Sequence, residues 1–327
     1  MITMELDLLG DPYRRQTIEL PPDEEGEVVA TLVTRDDSPA TGRAVLYVHG
    51  YSDYFFHPHV ADFFVERGFA FYALDLRKAG RSMMPHQTPH FVRHIPQYFA
   101  ELDKATQLIR DAGNESILVY AHSTGGLTTA LWAHRMRHHR WLAGLVLNSP
   151  FFALNVGDAV QRLGTVPLDI AGLLAPKRPV RLGGPGINVR SLHHDHYGEW
   201  DFDLAWKPVT GTPIRLGWLR AVDRAQKRLR NGLKIAVPVM VSVAAQSWFA
   251  TEWDEQAHTA DTVLNVEDIV KWAPGIGSDV DVVRIHGGRH DLALSQLGGR
   301  KLFFDEIDTW LARHGLVAPS GNALSRP

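Results

Sequence analysis

The chain has 327 residues, 45% of them apolar and 22% charged, a composition that supports a sizeable core and excludes a disordered or membrane-spanning polypeptide. At this length a single core stops growing, so one large domain carrying an insertion is expected rather than two unrelated domains. Its 34 basic and 37 acidic residues leave a formal charge of −3 without a basic stripe, and no nucleic-acid partner is expected.

Asp223–Arg230, a short charged run, reads as a solvated helix face. The absence of cysteine excludes disulfides, a thiolate nucleophile and thiolate metal sites. Met1–Arg15 is acidic and broken by Gly10 and Pro12, unlike a secretory signal, and no stretch has the length of apolar residues that spans a bilayer. A cytoplasmic protein is expected.

In chain order, Val28–Thr34, Ala44–Val48 and Ala70–Leu74 read as strands, with a helix near Val60–Arg67 between the last two. A longer helix over Ile95–Asp111 leads into a strand at Ile117–Tyr120, and a further helix runs to about Arg137, ahead of a strand at Leu145–Leu147. Each strand is a nearly continuous apolar run, as expected for a parallel sheet covered on both faces by helices. After Asn148-Ser-Pro150 the pattern changes to proline and glycine clusters, an apolar stretch at Pro167–Leu174, and Trp200, Trp206 and Trp218. Residues 1–150 therefore form the first part of the core, 151–234 a cap insertion, and 235–327 the second part. Strands resume at Val237–Val243 and Asp281–Ile285, a helix spans Lys301–Ala312, and the tail from Val317 reads as loose.

A serine hydroxyl is a weak nucleophile, so it needs an exposed tight turn, a general base and N–H donors for a developing oxyanion. Ala121-His-Ser-Thr-Gly125 follows a strand and opens a helix, the context of a nucleophile elbow, and makes Ser123 the candidate nucleophile. The backbone N–H of Thr124 is one candidate oxyanion donor. His49-Gly-Tyr51 follows another strand and offers the N–H of Tyr51 as the second. Past the last strand, Gly287-Gly-Arg-His290 puts a histidine in a glycine-rich loop, the position for a base; His286 reads as a structural continuation of the strand. No carboxylate closes the strand ending at Val243, which points to an insertion there. Asp261, in a turn ahead of a helix capped near Asn265, is the first candidate for the acid, with Asp254 and Glu252 as alternatives.

His49-Gly-Tyr51, Asp75-Leu-Arg-Lys-Ala-Gly-Arg-Ser82, Ala121-His-Ser-Thr-Gly-Gly126, Gly144-Leu-Val-Leu-Asn-Ser-Pro150 and Gly288-Arg-His290 fall in the order and spacing of monoglyceride-lipase and lysophospholipase-like α/β-hydrolases, which the chain resembles over most of its core. The resemblance implies the α/β-hydrolase fold and hydrolysis of a carboxylic ester through an acyl-enzyme; no Gly-x-Gly-x-x-Gly or phosphate-loop lysine motif is present, and no cofactor is expected. Asp261-Thr-Val-Leu264 is similar to the family's acid-bearing turn, displaced by about fifteen residues, and this favours Asp261 over Asp254. Two positions depart from the family: Lys78 stands at a turn glycine and Thr124 at a common methionine. The cap resembles nothing that would name the substrate.

Acyl transfer or amide hydrolysis would use the same residues. The alternative from another class, a catalytically silent receptor, usually lacks a triad residue, whereas candidates for all three are present here. His193-His-Asp-His196 is a local cluster of potential metal ligands whose loop spacing suits zinc poorly. Trp200, Trp206, Trp218, Leu173, Leu174 and Phe151-Phe152 are candidates to line an apolar acyl or aromatic pocket beneath the cap, or to serve as its packing.

Overall fold

The computed structural model describes residues 4–154, 165–180 and 186–317. Nine strands form one sheet in the order β1-β2-β3-β5-β4-β6-β7-β10-β11: β1 Glu5–Leu6, β2 Tyr13–Asp23, β3 Gly26–Arg35, β4 Arg43–Val48, β5 Ala70–Asp75, β6 Ser116–His122, β7 Leu142–Asn148, β10 Val239–Ala244 and β11 Val280–Ile285. From β5 through β4 to β11 every pairing is parallel, while β1, β2 and β3 add antiparallel pairs at one edge. A two-stranded ribbon of β8 Pro179–Val180 and β9 Ile214–Arg215 lies between β7 and β10 in sequence.

The strands are apolar on both faces because both faces are covered. Along β6, Ile117, Val119 and Ala121 join one buried cluster, with side chains of helices Phe99–Asp111, Thr124–Met136, Leu216–Arg230 and Val266–Trp272. The alternate residues Leu118 and Tyr120 join the other, with Val60, Ala61, Phe63 and Phe64 of helix Pro58–Glu66 and Phe303, Ile307, Trp310 and Leu311 of helix Leu297–Arg313. The two-residue period of a strand thus feeds two cores. Among the described residues no helix is long and apolar enough to cross a membrane.

Several elements differ from the sequence reading. The strand β2 was not foreseen, because Arg14-Arg15-Gln16 and Pro21-Pro22 hide its alternation. Ile95–Tyr98 forms a 3-10 turn, and the α-helix begins only at Phe99. The run Asp223–Arg230 belongs to an amphipathic helix in which Asp223, Ala225, Gln226 and Leu229 are buried and Arg224 and Arg228 are exposed, so only part of it is a solvated face. β11 ends at Ile285, and His286 stands exposed in the following turn rather than continuing the strand. Val317 packs in the second core; the tail beyond it lies outside the described residues.

Lys78, at the position of a turn glycine, does adopt a left-handed backbone, with φ 60°. Its buried ammonium lies 2.6 Å from both Asp23 and Glu25 at the β2–β3 turn, two ion pairs that hold it in this conformation. Glu25 also pairs with Lys177 at 2.7 Å and accepts a 2.6 Å hydrogen bond from the hydroxyl of Thr88. Burial alone would raise the Glu25 carboxyl, but hydrogen bonds from Lys177, Lys78 and Thr88 bring it down from 4.5 to about 2. A carboxyl whose folded value lies below its unfolded one stabilises fully above the unfolded value and stops doing so as pH falls through the folded one. Thermal melts from neutral pH down to about 3 should therefore show wild type losing more stability than Glu25→Gln, and parallel losses would contradict this role of Glu25.

Candidate active site

The turn between β6 and helix Thr124–Met136 holds Ser123 at φ 52°, ψ −116°. Its N–H donates to Asn148 O at 3.0 Å, and its own carbonyl accepts from Gly126, Leu127 and Phe151. Two positions leave no room for a side chain without a shift, and a third is tight. A Cβ on Gly125 would lie 2.5 Å from His49 O, one on Gly126 2.7 Å from Pro150 Cβ, and one on Gly50 3.0 Å from Ser123 Cβ. The Ala121 methyl, by contrast, is buried in the first core without obstructing the turn.

His290 follows β11 in a tight loop with Gly287 at φ 73°. Its Nε2 lies 3.1 Å from Ser123 Oγ and its Nδ1 2.9 Å from Asp261 Oδ2. The other oxygen of Asp261 accepts from the N–H groups of Val263 at 2.8 Å and Leu264 at 2.7 Å. This arrangement uses Asp261 only as an acceptor, leaves the proton on Nδ1, and presents Nε2 as a lone pair to the hydroxyl.

Residues 248–260 do not carry Asp261 away from His290, because the excursion closes on itself. Trp248 N donates to Asp261 O and Asp261 N to Gln246 O, each at 2.9 Å, and Ser247 and Asp261 form a parallel bridge. Asp254 caps the 3-10 turn Glu255–His258 from an exposed position and Glu252 is also exposed, so neither alternative acid reaches His290. Asn265 caps the next helix through Glu267 N, as its sequence suggests.

Tyr51 and Thr124 flank the serine. Among the described residues neither backbone N–H has a hydrogen-bond partner, and Thr124 opens a 13-residue helix whose first amides are positive dipole ends. His49 braces this corner: its Nε2 accepts from Leu76 N at 2.9 Å, its Nδ1 donates to Gly50 O at 2.7 Å, and burial lowers its pKa, so it is neutral. A small crevice of ≈10 Å³, about the space of one water, lies here between His49, Gly50, Tyr51, Leu76, His90, Tyr98 and Thr124.

Behind the serine and histidine is a buried charge cluster that the sequence reading missed. Asp53 takes Lys207 Nζ at 2.7 Å on one oxygen and His122 Nδ1 at 3.2 Å on the other. Asp291 takes Asn148 Nδ2 at 2.7 Å and His57 Nε2 at 3.2 Å. Burial would raise both carboxyls, but Lys207 and His122 hold Asp53, and His122 and His57 hold Asp291, well below the ordinary range. Burial would lower His122, yet Asp291 and Asp53 keep it raised. The available signal was adjacency: His122 precedes Ser123, Asp291 follows His290, and Asp53 shares the loop of Tyr51.

The aromatic candidates separate. The Trp218 ring lies 4.1 Å from that of Tyr51 and stacks with Phe151 at 6.5 Å, beside the site. Trp200 and Trp206 pack instead in a satellite cluster with Tyr54, Phe56 and Phe202, Phe152 is core, and Leu173 and Leu174 face solvent at 55% and 81% exposure. Of the metal-ligand candidates, His193 is engaged otherwise, its Nδ1 accepting from Asp195 N and its Nε2 donating to Phe202 O, each at 3.1 Å, while His194, Asp195 and His196 are exposed.

The family model for serine aminopeptidase, S33, matches residues 39–294. Among solved structures, a soluble variant of monoglyceride lipase from Saccharomyces cerevisiae, in complex with a substrate analog, aligns with TM-score 0.64 at 14% identity, covering 96% of this chain and 97% of that one. The monoacylglycerol lipase of Paleococcus ferrophilus aligns with TM-score 0.59 at 18% identity, over 85% and 96%. Est1E from Butyrivibrio proteoclasticus, with ferulic acid bound, aligns with TM-score 0.55 at 15% identity, over 96% and 100%. At these identities the likeness establishes the fold. No curated protein matches the chain.

The two aspartates give a direct comparison. Asp261→Asn offers an amide N–H toward Nδ1 and favours the wrong imidazole tautomer, a change that costs about 10⁴ in turnover in the serine-protease triad. Asp254→Asn keeps an oxygen to cap its turn and should stay within about twofold of wild type. Turnover of one activated ester by both variants, each shown to melt cooperatively, decides between them; a crippled Asp254→Asn beside a normal Asp261→Asn would overturn the assignment.

Proposed function

Because the chain belongs to the serine aminopeptidase S33 family, with the α/β-hydrolase fold, we propose that it is a serine hydrolase of carboxylic esters with Ser123 as nucleophile. The observation that carries the reading is the continuous line from Asp261 through His290 to Ser123, 2.9 and 3.1 Å long, between residues far apart in the chain. Ser123 Oγ attacks the ester carbonyl carbon as its proton passes to His290 Nε2, and Asp261 stabilises the imidazolium. The N–H groups of Tyr51 and Thr124 receive the oxyanion, aided by the helix N-terminus. Collapse breaks the C–O bond, and the alcohol leaves with the proton from Nε2. Water, deprotonated by the same nitrogen, then releases the acid and restores the serine.

The family's description invites a second reading, an aminopeptidase. That chemistry needs a carboxylate free to pair with the substrate's ammonium. Asp53, Asp261 and Asp291, the carboxylates bound to the site's own residues, are each engaged by cations or N–H donors, which favours an ester. Residues 151–234 serve as the cap that selects the ester, with Trp218 and Phe151 offering an apolar wall beside Ser123.

Ser123→Ala should keep the fold and lower ester turnover by on the order of 10⁴ to 10⁶, with loss of covalent labelling by a fluorophosphonate. The measurement is labelling together with rates on a p-nitrophenyl ester series and an aminoacyl p-nitroanilide. Labelling that persists in Ser123→Ala would sink the nucleophile assignment, and faster turnover of the anilide than of every ester would favour the aminopeptidase.

A further inference from the structure

Four consecutive residues after Gly50 each use their side chain to grip one stretch of the insertion, in reverse order. Tyr51 OH donates to Pro213 O at 3.2 Å. Ser52 Oγ lies 3.0 Å from Thr212 Oγ1 and accepts from Thr212 N at 3.0 Å. Asp53 pairs with Lys207 at 2.7 Å, and Tyr54 OH accepts from Asp203 N at 2.7 Å. Residues 203–213 therefore run along the loop like a strap.

That loop needs a strap. Ser52 has φ 55°, a left-handed backbone that a non-glycine residue keeps only when its surroundings impose it. Both hydrogen bonds of the Ser52 side chain go to Thr212, one to its hydroxyl and one from its amide, and the amide one residue before Ser52 is that of Tyr51, the proposed oxyanion donor. The buried rung does more than the others. With Lys207 on one oxygen and His122 on the other, the Asp53 carboxylate joins the strap, the Tyr51 loop and the residue before the nucleophile in one contact. A Cβ on Gly50 would lie 3.0 Å from Ser123 Cβ, so loop and elbow pack closely.

We propose that Lys207 and Asp53 are positioning residues for the reaction at Ser123: the strap 203–213 sets the Tyr51 N–H over the serine, so the oxyanion site is complete only with this part of the insertion docked. The inference rests on the hydrolase reading. It assigns the insertion a part in the rate of the chemical step, beyond choosing the substrate. An amide displaced from the oxyanion loses transition-state stabilisation with little change in ground-state binding, so the effect falls on kcat rather than KM.

The test uses the full chain, a p-nitrophenyl ester and active-site titration with a fluorophosphonate. Lys207→Met alone would strand a buried carboxylate, so the charge is removed as the pair Asp53→Asn with Lys207→Met. Its kcat per titrated site should fall roughly tenfold to a hundredfold with KM within about threefold, short of the full loss of an oxyanion donor. Lys207→Arg, which keeps the charge, should recover most of this rate. Thr212→Val removes only the half-buried rung and should lower kcat by about threefold to tenfold with the fold intact. A folded double variant with kcat within twofold of wild type would overturn the strap, as would an unchanged kcat in Thr212→Val where the double variant does not fold. Wild type that neither hydrolyses the ester nor labels at Ser123 would instead overturn the hydrolase reading and this inference with it.

Discussion

A serine at φ 52°, ψ −116° sits in backbone space that costs on the order of 1–3 kcal/mol, and much of the molecule is arranged to impose it. The parallel sheet brings the carboxyl ends of β4, β6 and β7 side by side, so that Asn148 O receives the serine amide and His49 and Pro150 close in on Gly125 and Gly126. With the turn fixed, His290 Nε2 lies 3.1 Å from Ser123 Oγ and Asp261 lies 2.9 Å behind the imidazole, beside Tyr51 and Thr124. The free energy comes from the two cores on either face of the sheet, whose burial of large side chains such as Trp132, Phe64 and Phe303 outweighs local strain.

Buried charge clusters at the same end of the sheet. Arg77 and Glu101 form a bidentate pair, Arg81 joins Asp7 and Asp75, Lys78 joins Asp23 and Glu25, and Asp53 joins Lys207 and His122. Pairs of this kind add little net stability relative to apolar packing, but breaking one strands its partner at a cost of about 3–5 kcal/mol. Their effect is to make the loops after the strands, which carry the candidate site, rigid and mutually registered. Arg289 extends this to the insertion after β10: beside His290, and with no carboxylate bonded to it among the described residues, it bonds the carbonyls of Ser191 and His258 and the His258 ring, and burial brings it down to about 10. It thereby ties the histidine loop to the segment that leads into Asp261.

How much was legible in the sequence follows from the range of the interactions involved. Continuous apolar runs marked the parallel strands because a strand covered on both faces has no polar face to show, whereas β2, at the antiparallel edge, carries polar residues and prolines and was passed over. Ala121-His-Ser-Thr-Gly125 and Gly287-Gly-Arg-His290 stood out because a tight turn demands small residues locally. The acid was harder. Asp261 was ranked first by its turn and by family resemblance, but nothing local showed that residues 248–260 leave and return through the Ser247–Asp261 bridge. The indole and leucine candidates of the cap divided between the site, a satellite cluster and solvent, since a helical apolar stretch says only that some partner exists.

By itself the sequence determined the parallel α/β core and the tight turns that carry Ser123 and His290, because these follow from residue size, periodicity and backbone preference over a few neighbours, while the order of its motifs and their family resemblance pointed to the α/β-hydrolase class. Only the tertiary structure decided which carboxylate meets His290, that Asp53 holds Lys207 from 154 residues away, and that residues 203–213 run along the Tyr51 loop. The physical reason is that an ion pair or side-chain hydrogen bond depends on the direction and distance of two groups to within a few tenths of an ångström. A chain of 327 residues sets that geometry through the packing of its whole sheet, and no local pattern of residue types records it.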